Sequence, residues 1–233
     1  MTSSRLPGKP ILKVNGVTML DHLINRLKNV DIIDEIVVAT TENSDDDVLV
    51  KIAKEAEVAF YRGEEHNVTG RVIKAARHHD AKTVVQITGD CPIIDHNLVD
   101  QVIRVFLNNN SDFVSIGNVR SYPDGMDVSV FELSTLMKSY EMTSNEKHRE
   151  HVTLHIRENP EIFSHINIMA PKKMFWPELG LTLDENKDYL LIKKIIENFS
   201  DNPLFSCEDA IDFLRKHPDL INLNKDVKRK IVI

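Results

Sequence analysis

A run of small, polar and basic side chains near the amino terminus could bind a phosphate. Its members are Ser3, Ser4, Arg5, Pro7, Gly8 and Lys9. Guanidinium and ammonium groups neutralise polyphosphates, hydroxyls bond to phosphate oxygens, and glycine lets the backbone approach a ligand. A frayed basic terminus that contains a turn would have the same residue types, so both interpretations stay open on the residues alone.

Two aspartates, Asp90 and Asp184, each follow a short apolar stretch of the chain. Asp90 comes after a predicted buried strand, and Asp184 comes directly after Leu183. Ligands of open α/β sheets bind at the carboxyl ends of the strands, so both carboxylates are placed to meet a ligand. One or two carboxylates, with water and substrate phosphates, are usual ligands of Mg²⁺. Capping of the helices that follow is the alternative role for both acids.

A cysteine and three histidines are further candidates for chemistry. Cys91 has no partner base in the sequence, which favours a packed thiol over a nucleophile. His148, His151 and His155 lie at i, i+3 and i+7 of a predicted helix and could form a metal site. Zinc sites usually include cysteine or carboxylate ligands, so we favour hydrogen-bonding or pocket roles for these histidines.

Two groups of charged residues in the second half of the chain have either a structural or a substrate-binding role. Asp124 and Asp127 flank Gly125, where they either cap a turn or recognise substrate hydroxyls. Arg149 stands beside Glu150, and this pair lies either on the surface or in a substrate pocket. Residue types and spacing do not separate these alternatives.

The composition excludes several classes of protein. Of the 233 residues, 42% are hydrophobic and 28% are charged, which is enough to bury the core of one large α/β domain. A net charge of −7 argues against a broad nucleic-acid surface. No apolar run approaches the roughly 20 residues of a membrane span, and we identify no signal peptide. The two cysteines form no disulfide framework, so we expect a cytoplasmic protein. From the net charge and the lack of a long apolar run, we expect no nucleic-acid or membrane partner.

Predicted strands and helices alternate along the chain and would position these side chains. Apolar stretches predict strands at residues 36–40, 58–61, 83–88, 113–116, 126–131 and 163–169. Apolar residues at helical spacing predict helices at residues 18–28, 45–55, 71–79, 97–107, 132–142, 147–159, 186–199 and 208–216. This order is typical of an α/β fold, a mostly parallel sheet with helices on both faces. Residues 225–233 are predicted to be a solvated basic tail.

Six motifs, taken together and in order, resemble those of the spore coat polysaccharide biosynthesis protein F family. These are cytidylyltransferase-like proteins related to CMP-Kdo and CMP-sialate synthetases. The motifs are Ser4-Arg5-Leu6-Pro7-Gly8-Lys9, Arg62-Gly63 with Arg71, Thr88-Gly89-Asp90-Cys91-Pro92, Tyr122-Pro123-Asp124-Gly125-Met126-Asp127-Val128, Arg149-Glu150-His151-Val152-Thr153, and Leu183-Asp184. The resemblance covers nearly the whole chain, to about residue 224, and its first and third motifs are specific when they occur together.

The resemblance implies a single nucleotidyltransferase domain over residues 1–224 with a Rossmann-like sheet. Such an enzyme joins a nucleoside monophosphate, usually CMP from CTP, to a sugar or sugar acid and releases pyrophosphate. Residues 118–169 would form an irregular insertion that serves either as a dimerisation arm of a homodimer or as a substrate lid.

The resemblance also implies roles for individual residues. Arg5, Lys9 and Asp90 would be catalytic, and Asp90 and Asp184 would be the ligands of Mg²⁺. The nucleotide would be bound by Ser3, Ser4, Gly8 and Arg71. The sugar side would be lined by Tyr122, Asp124, Asp127, Arg149 and His151. In-line attack by a sugar hydroxyl on the α-phosphorus needs positioning and charge neutralisation, and it needs no covalent protein intermediate.

The resemblance creates one expectation about the amino terminus. Family members carry an apolar strand and a segment like Gln-Ala-Arg ahead of the residue that matches Met1. We therefore expect Met1 to be an internal methionine, and we expect the sheet of the present chain to lack a central strand.

Two other functions fit the same fold. One is a nucleotidyltransferase that acts on a sugar phosphate or uses another nucleoside triphosphate. The other is a non-catalytic protein that binds a nucleotide or a sugar.

Overall fold

The computed structural model describes Met1 and residues 5–229, which form an α/β fold. The strands are β1 Lys13–Val14, β2 Val17–Thr18, β3 Val37–Thr41, β4 Ala59–Gly63, β5 Thr83–Gln86, β6 Phe113–Ser115, β7 Ser129–Glu132 and β8 His165–Asn167. The helices are α1 Met19–Leu27, α2 Asp47–Glu55, α3 Val68–His78, α4 His96–Leu107, α5 Leu133–Glu141, α6 Glu146–Glu150, α7 Leu154–Glu158, α8 Asn186–Asn198, α9 Cys207–Lys216 and α10 Pro218–Ile221. The α/β class expected from the sequence is confirmed.

The described strands form two separate sheets and a small hairpin. Strands β3 and β4 pair in parallel, and β1 pairs with β2 in the hairpin. The larger sheet has the order β5-β7-β6-β8, in which β7 is antiparallel to both neighbours and β6 is parallel to β8. Within the described residues β3 is paired along one edge, with β4, and β5 is paired along one edge, with β7.

Helices cover both faces of the larger sheet because its side chains alternate. Val114 of β6 and Val130 of β7 face the main hydrophobic core, which includes apolar residues of α4, α8 and α9. Phe113 and Phe131, one position away on the same strands, face a second cluster with residues of α3, α5 and α7. This period of two is what a sheet buried on both faces requires.

Most predicted elements are present within a few residues of their expected bounds, and one is wrong. The helix predicted at residues 147–159 is broken into α6 and α7, with His151 in an extended conformation between them. Val152 and Thr153 follow the break, and both are β-branched residues with a lower helix propensity. Val152 is buried in the second cluster, so tertiary packing stabilises the interruption.

Residues 118–169 are built into the sheet rather than appended to it. Their strand β7 lies between β5 and β6, and their strand β8 forms an edge beside β6. In the predicted basic tail, Lys225, Asp226 and Lys228 are exposed, whereas Val227 and Arg229 contact the rest of the fold. Val227 is 8% exposed there, and Arg229 forms an ion pair. Across Met1 and residues 5–229, no helix combines the length and the apolar character needed to cross a membrane.

Candidate active site

One lysine joins the two aspartates that sequence analysis singled out. The Nζ atom of Lys9 lies 2.9 Å from Asp90 Oδ2 and 3.4 Å from Asp184 Oδ1. The guanidinium of Arg5 contacts the same Asp184 oxygen, with Nη2 at 2.9 Å. The structure therefore brings together the two cations of the amino-terminal run and the two carboxylates from distant parts of the chain.

Backbone contacts hold the two aspartates side by side. The amide of Leu183 donates to the carbonyl of Asp90 at 2.8 Å, and the Thr182 hydroxyl donates to the same carbonyl at 3.3 Å. The segment before Asp184 is thus tied directly to the turn that follows β5. Two hydrogen bonds therefore join the loop that carries Asp184 to the loop that carries Asp90, and the segment before Asp184 is not a strand.

Asp90 is held in its charged form. Its Oδ1 atom accepts a hydrogen bond from the Thr88 hydroxyl at 2.5 Å. Burial by itself raises the pKa of Asp90, but the Lys9 ammonium and the Thr88 hydroxyl more than offset it, so this pKa lies below its ordinary value. A negative charge at the strand end is therefore present at neutral pH.

The amino-terminal run forms a tight turn that places its cations. Gly8 has a φ of 69°, a left-handed conformation that favours glycine, and it precedes a short 3-10 turn over Lys9–Ile11. The Gly8 amide donates to the Met1 carbonyl at 3.2 Å. Ser3 and Ser4 lie outside the described residues, so their expected role stays a prediction.

The aspartate pair fits a hard divalent cation. Within Met1 and residues 5–229, no group of three or more histidine, cysteine, aspartate or glutamate side chains could hold a metal ion. Mg²⁺ needs fewer protein ligands, since one or two carboxylates suffice when substrate phosphates and water complete its shell. Asp90 and Asp184 provide that donor set, and both contact one cation already, the Lys9 ammonium.

The two acids expected on the sugar side lie near the same cluster. Asp124 Oδ1 pairs with Arg120 Nη1 at 2.9 Å, and Asp127 Oδ2 accepts the Gly125 amide at 3.0 Å. Asp124 also forms an isolated bridge to Gly180, four residues before Asp184. Burial and the neighbouring Asp127 raise the pKa of Asp124, although Arg120 and Arg229 oppose the rise.

Other expected site residues are placed in supporting positions. Tyr122 is 3% exposed and belongs to the main hydrophobic core. Arg149 stacks over the Tyr140 ring and donates to the carbonyls of Tyr140 and Thr143, at the end of α5. Arg71 donates to the Glu64 and Glu65 carbonyls just beyond β4. These contacts hold Tyr122 in the core, Arg149 at the end of α5 and Arg71 just beyond β4.

The cysteine and the histidines are consistent with structural roles. Burial raises the pKa of the Cys91 thiol well above its ordinary value, which disfavours a nucleophilic thiolate. His148 bonds to Thr143 and Glu158, at 2.8 and 2.7 Å, and His155 bonds to Ser139 at 3.0 Å. His151 lies at the break between α6 and α7.

Sequence reasoning missed three charged residues of the cluster: Arg120, Asp188 and Arg229. Asp188 is fully buried, and its Oδ1 atom lies 2.6 Å from Arg229 Nη2. Arg120 pairs with Asp124 over four residues. An aspartate three residues after Glu185 could have been found as part of the capping box of α8, whereas no local signal marks Arg229.

Known proteins are similar to this chain over nearly its whole length. A sequence model of the family described as Cytidylyltransferase matches residues 1–217. A solved structure of a cytidylyltransferase from Leptospira borgpetersenii serovar Hardjo-bovis is 32% identical, with a TM-score of 0.92, and covers 98% of this chain and 95% of that chain. The spore coat polysaccharide biosynthesis protein SpsF from Bacillus subtilis is 29% identical over 94% of this chain and 92% of its own length.

A more distant structure shares the fold. It is CMP:2-keto-3-deoxy-manno-octonic acid synthetase complexed with CTP, with a TM-score of 0.60 and 16% identity. The similarity covers 84% of this chain and 94% of that chain, and at this identity it speaks for the fold alone.

Proposed function

Because the chain belongs to the cytidylyltransferase family, we propose that it transfers CMP from CTP to a sugar or a sugar acid and releases pyrophosphate. The observation that carries this proposal is the contact of one lysine, Lys9, with both Asp90 and Asp184. A metal–triphosphate complex needs such carboxylates and cations side by side. The name of the Bacillus subtilis relative supports a role in surface polysaccharide biosynthesis.

Arg5 and Lys9 are the proposed ligands of the triphosphate. In the structure their partners are Asp184 and Asp90. Phosphate oxygens would replace these carboxylates, since a guanidinium binds them as a planar fork and an ammonium as a point charge. The cations then neutralise the charge that develops on the departing pyrophosphate.

Asp90 and Asp184 would hold Mg²⁺, which when bound supplies further charge neutralisation at the triphosphate. The acceptor hydroxyl attacks the α-phosphorus in line, so a new oxygen–phosphorus bond forms while the bond to the bridging oxygen of pyrophosphate breaks and the hydroxyl proton is released to water. Catalysis is positioning and electrostatics. Buried Cys91 takes no part in this step.

Asp124 and Asp127 are the proposed acceptors for hydroxyl groups of the sugar. Both lie within 4 Å of Arg120, whose guanidinium orients them, and each carboxylate oxygen can accept more than one hydrogen bond, including one from a sugar hydroxyl. Tyr122 supports this region from the core, and Arg149 and His151 are proposed to shape its far wall. Dimerisation through residues 118–169 stays a prediction, which sedimentation analysis of the protein would test.

Pyrophosphate release tests the proposed function. Each of the four nucleoside triphosphates is incubated with the protein, Mg²⁺ and a panel of neutral sugars, sugar acids and sugar phosphates. We expect release with CTP and with a sugar or a sugar acid. Lys9→Gln should lower kcat/KM by about 10²-fold or more. Lys13→Gln, a change at an exposed lysine, should leave the rate unchanged.

Two results would overturn the proposal in different ways. A preference for another nucleotide, or for a sugar phosphate, would assign the alternative transferase reaction. Binding of CTP with no release for any acceptor in the panel would favour a protein that binds nucleotides without catalysis.

A further inference from the structure

Residues 224–229, near the carboxyl terminus, pack against the acidic cluster of the site. Asn224 Nδ2 donates to the Gly180 carbonyl at 2.9 Å and to Asp188 Oδ1 at 2.8 Å. The Lys228 carbonyl accepts a hydrogen bond of 3.4 Å from Arg5 Nη1. The segment thus touches both the loop before Asp184 and the amino-terminal cation run.

Arg229 brings a guanidinium into the middle of three carboxylates. Its Nη2 atom is 2.6 Å from Asp188 Oδ1, its Nη1 atom is 3.9 Å from Asp184 Oδ2, and its Nε atom is 4.0 Å from Asp124 Oδ2. Nη1 is buried and has no hydrogen-bond partner among the described residues. Arg229 therefore bridges the proposed metal side and the proposed sugar side of the site.

Asp188 contacts both Arg229 and the backbone of Asp184. The Asp188 side chain is 0% exposed, and its Oδ2 atom accepts the backbone amides of Asp184 at 3.1 Å and Glu185 at 2.8 Å. The other oxygen, Oδ1, is held by the Arg229 guanidinium at 2.6 Å and by Asn224 Nδ2 at 2.8 Å. The Arg229 guanidinium therefore fixes the orientation from which Asp188 accepts the two amides of the Asp184 loop.

The Arg229 guanidinium packs directly against Gly180, which has no side chain. A Cβ atom built on Gly180 would overlap Nη2, Cζ and Nε of Arg229. An alanine at this position would have to displace the Arg229 side chain. The pairing thus depends on two residues 49 positions apart in the sequence.

We propose that Arg229 is a positioning residue of the active site, which acts through Asp188 to fix the loop that presents Asp184. The inference rests on the proposed function, because it assigns Asp184 to the divalent cation. Residues 224–229 are accordingly part of the active site and not an appended tail.

Mn²⁺ affinity in the presence of CTP tests the inference without any knowledge of the sugar. Free Mn²⁺ is measured by electron paramagnetic resonance for the wild-type protein, Arg229→Gln and Lys225→Gln. Loss of an outer-shell partner should weaken the affinity for Mn²⁺ about 10- to 100-fold in Arg229→Gln. Lys225→Gln removes an exposed charge from the same segment and should match the wild type.

Two results would overturn the inference, and each has its own meaning. Tighter Mn²⁺ binding by Arg229→Gln would show that the guanidinium competes with the metal for the carboxylates. An unchanged affinity with a lower melting temperature would show that Arg229 merely anchors the chain end. Failure of the wild-type protein to bind Mn²⁺ together with CTP would overturn the proposed function itself.

Further variants keep the test decisive if Arg229→Gln does not fold. Gly180→Ala retains the charge and should shift the guanidinium, so it should also weaken the affinity for Mn²⁺. Arg229→Lys keeps a cation near Asp188 and should restore part of the affinity for Mn²⁺.

A double-mutant cycle tests the route through Asp188. The losses of Mn²⁺ affinity caused by Arg229→Gln and Asp188→Asn should be non-additive, because Arg229 acts through Asp188. Full additivity would contradict that route.

Discussion

At the residue scale, Asp90 and Cys91 show how neighbours in one turn take opposite roles. The Asp90 carboxyl faces Lys9, which together with the Thr88 hydroxyl keeps its pKa below the ordinary value despite burial. The Cys91 side chain faces the main core, and burial raises its pKa well above the ordinary value. Sequence position alone made both residues candidates, and their environments separate them.

Substitutions at these two positions should therefore have unequal effects on catalysis. Asp90→Asn keeps the shape of the side chain but removes the charge, so we expect kcat/KM for CTP to fall by about 10²- to 10³-fold. Cys91→Ala should cost stability through a small cavity and keep most of the activity. Pyrophosphate release and thermal melting measure the two effects. Equal losses of activity would contradict the assignment of Asp90 to the reaction.

At the element scale, the break between α6 and α7 brings His148 and His155 into ring contact. Their ring centroids are 5.0 Å apart, and His155 is 9% exposed. Burial lowers the pKa of His155, and the neighbouring His148 lowers it further, against a smaller opposing effect of Glu158. A continuous helix would have placed three histidines on one face, which is the arrangement that the sequence pattern predicted.

The lowered pKa makes this pair of helices sensitive to acid. In the unfolded chain the pKa of a histidine is about 6.5, so His155 takes up a proton below that pH more readily when unfolded than when folded. The free energy of unfolding should therefore fall as the pH drops from about 7 to about 5. His155→Gln should reduce this slope, and His66→Gln, at an exposed histidine, should not. Urea unfolding at several pH values measures the slope. An unchanged slope in His155→Gln would show that other groups cause it.

Local signals explain which elements the sequence could predict. Helix α1 begins after Thr18, whose hydroxyl accepts the Asp21 amide, and α9 begins with a capping box at Ser206. Helix α3 begins three residues before its predicted start, because the capping by Asn67 went unrecognised. Arg229 had no local signal, since its partner Asp188 lies 41 residues earlier and the pairing exists only in the folded chain.

At the scale of the whole molecule, α1 connects the two sheets. Its residues Leu20 and Ile24 pack in a cluster with Leu49 and Ile52 of α2, beside the β3–β4 sheet. Met19 and Leu23, about 100° away on the adjacent face of the helix, belong to the main core beneath the larger sheet. Since no hydrogen-bonded ladder joins β3 to β5 in the described residues, the two parts are linked by the apolar packing of α1 and by α3, which contacts β3 and β4 and packs in the second cluster.

The smaller sheet should therefore open separately from the larger one. Ile24→Ala should lower the free energy of opening of the α1–α2 cluster by about 2–5 kcal/mol. Amide exchange in β3 and β4 that is limited by this opening should then become at least about 30-fold faster. Exchange in β6 and β7 should change much less. Leu23→Ala weakens the main core instead and should have its larger effect on β6 and β7. Hydrogen exchange followed by mass spectrometry measures each strand. Equal acceleration in all four strands of Ile24→Ala would mean that the two sheets unfold as one cooperative unit, which would require a link between them stronger than the α1 packing.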